Sequence, residues 1–159
     1  MPNYGLTILM STDERVKSYL KTIFDKLHVF LLQRKVHRIV MVIIKVDTKE
    51  TIERWEFTVD CDNKVGDEQN VPVDMKEIQS GIRDVIRQIT ASVTYLPLID
   101  GAVSFDILLY TDKDLELPSQ EWADSTSHLI PHAEEVQLRS FNTKIHNLKA
   151  AVAYKSAED

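Results

Sequence analysis

Residues 38–46 read Arg-Ile-Val-Met-Val-Ile-Ile-Lys-Val. A short, continuous run of β-branched and long apolar residues predicts a strand buried on both faces. Asp47-Thr48-Lys49-Glu50 follows as a plausible turn, without the glycine of a tight hairpin. Trp55, Phe57, Val59 and Cys61 then alternate with Glu56, Thr58 and Asp60, the pattern of a half-buried strand. The two strands are close enough in sequence to form an antiparallel hairpin.

A sheet begun this way needs cover. Val16, Tyr19, Leu20, Ile23, Phe24, Leu27, Phe30 and Leu31 recur at helical spacing, which predicts a covering helix over about 13–33. Ser11 and Glu14 have the spacing of a capping box at its start. Tyr4 to Met10 is expected to be a short strand or extended lead-in. Asp74 and Glu77 cap a second predicted helix, with Ile78, Ile82, Val85, Ile86 and Ile89 as its apolar stripe. Gly81 costs that helix about 1 kcal/mol against alanine. Residues 93–98 are expected to form at most a short edge strand, because Pro97 cannot donate to a ladder. Val103, Phe105, Ile107 and Leu109 alternate, so 103–110 is predicted to be a further strand. The last 45 or so residues lack a helical stripe and are divided by Pro118 and Pro131. Val136, Leu138, Phe141, Ile145, Leu148, Val152 and Tyr154 predict late strands there, attached through long loops and freer to move than a central strand.

Composition narrows the function. The 159 residues suit one domain, and 19 basic against 25 acidic residues give a net charge of −6. That opposes a general nucleic-acid surface. Lys35, His37 and Arg38 read as a solvated connection from helix to strand. No run of 18 apolar residues exists, so no membrane span is expected. The N-terminus shows no secretory pattern. Cys61 is the single cysteine, which excludes an internal disulfide and suggests a reducing compartment. No catalytic spacing emerges. Asp60 and Asp62 share a strand face but lack further ligands. Asp112, Asp114 and Glu116 lack the glycine and distal glutamate of a calcium loop. His128 and His132 flank Pro131, which spoils a helical zinc pair, and both read as exposed loop histidines. There is no glycine-rich phosphate cradle and no serine elbow. Neither a metal nor any cofactor is expected. Trp55 reads as inner-face packing or as a partner contact. Arg87 and Gln88 read as solvated or as the fork and amide of a protein interface.

Longer segments carry a resemblance. They are Glu53-Arg54-Trp55-Glu56-Phe57, Ile86-Arg87-Gln88-Ile89-Thr90-Ala91, Phe105-Asp106-Ile107-Leu108, and Tyr110-Thr111-Asp112-Lys113-Asp114-Leu115. Glu134-Glu135-Val136-Gln137-Leu138-Arg139-Ser140-Phe141 and Val152-Ala153-Tyr154-Lys155 complete the series. From Tyr4 to Lys155 the chain resembles the spindle assembly checkpoint branch of the HORMA-domain family. The resemblance implies an α+β fold with helices packed on an antiparallel sheet. It implies one domain over 1–159, shortened at its N-terminus relative to the family pattern, with a mobile C-terminal safety belt over 115–159.

The implied activity is non-enzymatic. The belt closes over an extended partner peptide, and the checkpoint member has open and closed states. The implied partners are a kinetochore checkpoint adaptor and the activator of the anaphase-promoting complex. A checkpoint-silencing HORMA-like protein and a conformational homodimer are implied as well. The expected locations are nucleus, kinetochore and cytoplasm. Peptide engagement falls on the sheet edge and the clasp, with Trp55, Val136, Leu138, Phe141, Ile145, Val152 and Tyr154 as candidate residues. Arg87, Gln88 and Tyr95 match the dimer or silencing-partner surface. Ser125 matches a serine open to phosphorylation, whereas Ala133 and Ala150 replace other such serines and have no acceptor hydroxyl. Two rivals stay open: another HORMA adaptor in DNA repair or meiosis, and a small enzyme built on Cys61 or on a carboxylate–histidine site.

Overall fold

The computed structural model describes residues 10–33, 35–61, 75–111, 128–138, 141–142 and 146–156. Helix α1 (Glu14–Leu32) precedes the hairpin of β1 (Val36–Lys45) and β2 (Thr51–Cys61). Helix α2 (Met75–Ala91) runs into a single 3-10 turn, Ser92–Thr94. Strands β3 (Val103–Thr111), β4 (Glu134–Gln137), β5 (Phe141–Asn142) and β6 (His146–Tyr154) complete the order. The described strands form one antiparallel sheet in the order β3-β1-β2-β6-β4, with β5 also paired to β6.

The apolar run behaves as its composition dictates. One face of β1 meets α1: Leu27, Phe30 and Val36 form a buried cluster against Leu31, Ile39 and Leu109. Burying a side chain such as Leu27 or Phe30 contributes about 1.5–3 kcal/mol. Strand alternation places Val40 and Val42 on the other face, where both are 0% exposed and pack with Leu108, Ile44 and Tyr110. The hairpin turn manages without glycine because Lys49 takes a left-handed backbone (φ 61). Its N–H still donates to the Lys45 carbonyl at 3.0 Å, and Asp47 Oδ1 accepts from the Thr48 N–H at 2.7 Å.

Three expectations need correction. The residue whose side chain caps α1 is Asp13, which accepts from the Arg15 N–H at 2.8 Å. Ser11 instead accepts from the Asp13 N–H, one step further out. Residues 93–98 form no strand: Ser92 Oγ donates to the Ile89 carbonyl at 2.6 Å and Thr94 Oγ1 to the Ala91 carbonyl at 2.9 Å, so the chain keeps a helical turn. In the alternation of β2, Trp55 and Val59 are buried and Glu56 and Thr58 are not; just before it, Glu53 and Arg54 are buried as well. Arg54 ion-pairs with Glu56 and donates to the Tyr110 hydroxyl at 3.2 Å. Arg38 reaches Glu56 at 3.2 Å and lies 5.7 Å from the Tyr110 ring centroid, so charge sews β2, β1 and β3 together on one face. Finally, His128 is half-buried, its Nδ1 3.2 Å from Thr51 Oγ1. Residues 4–9 of the predicted lead-in, Asp62, the Asp74 cap, Asp112, Asp114 and Glu116 lie outside the described residues.

Candidate functional site: an open sheet edge and a clasp strand

The sheet has two unlike edges. On one side, among the described residues, nothing extends the sheet beyond β3. The ladder fixes which backbone groups face outward there. The Val46 N–H donates to the Ala102 carbonyl, in register with Lys45 opposite Val103. Antiparallel strands alternate which way their N–H and C=O groups point. Ser104, Asp106, Leu108 and Tyr110 therefore face β1, and Val103, Phe105, Ile107 and Leu109 present their backbone groups to the open edge.

The other side carries the late strands. β6 pairs with β2 along its whole length, from Cys61 opposite His146 to Glu53 opposite Tyr154. β4 then pairs with β6, Val136 opposite Val152, and β5 pairs Phe141 opposite Leu148. Several candidate residues thus share one cross-strand row, Trp55–Val152–Val136. Val152 is 0% exposed, and Trp55 is buried with its indole N–H donating to Glu53 Oε1 at 3.1 Å. The Leu138 N–H donates to the Ala150 carbonyl at 2.8 Å. Ile145 and Ser125 lie outside the described residues.

The far end of β6 is latched by side chains. Lys155 Nζ contacts Glu50 Oε1 at 2.6 Å, and the Lys155 N–H donates to the Ile52 carbonyl at 3.0 Å. The hydrogen bond and charge of Lys155 hold the Glu50 carboxyl below its ordinary value. Tyr154 packs on Tyr95 with ring centroids 6.1 Å apart. Burial, and secondarily Tyr154, raises the Tyr95 hydroxyl. This contact joins the end of β6 to the turn after α2. Arg87 is exposed on that helix and Gln88 is half-buried. The candidate pairing surface therefore adjoins the end of the clasp strand, a proximity that the sequence did not disclose.

Chemistry of other kinds finds little support. Among the described residues, no group of three or more His, Cys, Asp and Glu is placed to hold a metal ion. No helix there is long and apolar enough to cross a membrane. A cleft of about 220 Å³ at the latched end is lined by residues that include Glu50, Pro97, Leu98, Lys155 and Ser156.

An antiparallel sheet with helices packed on it, nothing beyond β3 among the described residues and a late hairpin on the opposite edge make an α+β domain. Residues 2–146 match the HORMA domain model, and the chain belongs to the HORMA-domain family. Within the family it is closely related to the checkpoint proteins called MAD2, and it is non-enzymatic. It is 45% identical over 154 residues to the Homo sapiens mitotic spindle assembly checkpoint protein MAD2A, covering 96% of this chain and 74% of that protein. The Saccharomyces cerevisiae mitotic spindle checkpoint component MAD2 is 42% identical over 154 residues, covering 96% and 78%. A chain in the crystal structure of the mitotic checkpoint complex superposes with a TM-score of 0.86 at 38% identity, covering 96% of this chain and 81% of that one.

Proposed function

We propose that the chain is a spindle checkpoint adaptor that captures an extended partner segment as an added strand on β3. The bare β3 edge is the observation that carries this reading, because outward N–H and C=O groups are a template for one more strand. The late hairpin sits on β2 at the opposite edge, which leaves β3 accessible; we assign this arrangement to the capture-competent state. Residues 115–159 would serve as the belt, with β4 to β6 as its docked end. The partners we assign are the activator of the anaphase-promoting complex and a kinetochore checkpoint adaptor, with the nucleus, kinetochores and cytoplasm as the sites of action. Supporting this are the relatives, which are spindle checkpoint proteins, and the solved neighbour from the mitotic checkpoint complex. Arg87, Gln88 and Tyr95 are assigned to pairing with a second copy or with a silencing HORMA-like protein.

Capture is tested by dissociation of a labelled activator peptide. Removing residues 150–159 takes away the second half of β6, including Val152 and the Lys155 latch. The expected result is a much shorter complex lifetime for the trimmed chain. Equal lifetimes would refute the belt assignment. Arg87→Ala should impair pairing, read by size analysis, and spare peptide capture.

A further inference from the structure

Asp106 is out of place in its strand. It sits within Phe105-Asp106-Ile107-Leu108, where every neighbour is apolar. Its Oδ1 accepts from the Ile107 N–H at 2.8 Å. That N–H is one of those facing the open edge, by the ladder derived above. The carboxylate therefore fills the place that a neighbouring strand's carbonyl would take. Tyr19 of α1 packs edge-on against Phe105, with ring centroids 5.6 Å apart. Burial first, and then the charge and hydrogen bond of Asp106, hold the Tyr19 hydroxyl above its ordinary range.

We propose that Asp106, steadied by Tyr19, is a guard on the β3 edge: it caps the Ile107 N–H until an entering strand displaces it. This rests on the strand-capture reading for its purpose, though not for its chemistry. An exposed edge pairs with any extended chain, and the nearest wrong partner is the β3 edge of a second copy. A charge-assisted hydrogen bond is stronger than the neutral one a carbonyl would offer. An indiscriminate strand thus exchanges a strong bond for a weaker one at the centre of the edge. A strand that also buries apolar side chains against Tyr19 and Phe105 recovers the difference. Selectivity then comes from a competitor built into the protein.

The test is amide hydrogen exchange on the full chain, read residue by residue. After correction for intrinsic rates, the Ile107 amide should exchange about tenfold more slowly than the outward amides of Phe105 and Leu109. Asp106→Ala should abolish the difference, Asp106→Asn should keep part of it, and Tyr19→Phe should reduce it. Sedimentation of Asp106→Ala should show more self-association than the wild-type chain. Equal exchange of the three amides in the wild-type chain overturns the guard, and this comparison needs no variant to fold. Slow Ile107 exchange in Asp106→Ala overturns it as well. Wild-type chain that captures no peptide would instead sink the strand-capture reading, and the exchange pattern would still judge Asp106.

Discussion

The two edges of this sheet are built from different material. β3 is joined to β1 over nearly its full length, carries Leu109 into the cluster under α1 and Leu108 into the cluster on the other face, and sets Phe105 against Tyr19. β6 has an equally long ladder with β2, but three of its residues are alanines, Ala150, Ala151 and Ala153. Apolar burial scales with area, so an alanine-rich strand gains little from its side chains beyond Val152 and its end contacts. Backbone hydrogen bonds can be exchanged for water at modest net cost. The difference separates two kinds of edge: β3 is packed into the core, whereas β6 is held by a ladder, the buried Ala150 and Val152, and a latch.

The largest test attacks the fixed side. Arg54→Ala takes the buried partner from Glu56, which keeps only the more exposed Arg38, and removes a donor from the Tyr110 hydroxyl on the face where β2, β1 and β3 are sewn together. Global stability in urea should fall by about 3 kcal/mol. Arg54→Met, which keeps the stem without the charge, should lose less than Arg54→Ala. Next comes a matched pair. Val42→Ala and Val152→Ala each truncate a fully buried valine. The first should lower global stability by about 2 kcal/mol. The second should speed exchange of the β6 amides while β1 amides keep their rates; equal global losses would erase the distinction between the edges.

A smaller effect is expected from Tyr154→Ala, which removes the ring against Tyr95. About 1 kcal/mol of local stability should disappear from the end of β6, seen as faster exchange at Ala153 and Lys155. The smallest concerns the latch. Lys155 depresses the Glu50 pKa, so folded Glu50 takes up its proton at lower pH than unfolded Glu50 does. Its contribution is complete above the unfolded value and fades as pH falls through the depressed folded one. Protection of the Lys155 amide should decline over that acidic window in the wild-type chain and stay flat in Glu50→Gln.

How much of this was legible depended on range. β1 was legible because six consecutive residues, Ile39 to Ile44, say the same thing, and α1 and the alternation at 103–110 were legible because their signals are local. The α1 cap was misplaced because Ser11 and Asp13 are both capping residues, and only geometry decides which one turns inward. Residues 93–98 misled because Val93 and Thr94 favour strands, whereas hydroxyl-to-carbonyl bonds held the turn. Nothing local marked Arg54 as buried, since no pattern reveals that Tyr110 waits two strands away. The Trp55–Val152–Val136 row needs a register between strands nearly a hundred residues apart, which one sequence does not encode visibly. Resemblance to the HORMA family supplied the candidate residues; it did not supply their alignment across strands. Asp106 did leave a trace, a carboxylate inside an apolar strand, which is a mark of an edge.

Thr111 ends β3 beside Val36, whereas His128 touches Thr51 at the other end of the sheet. Two strand spacings sideways and about eight residues lengthwise put these anchors roughly 28 Å apart. The chain between them, fully stretched, reaches roughly 56 Å. That reach is about twice the separation of the anchors, so chain length alone permits a path around one more strand about 4.8 Å beyond β3.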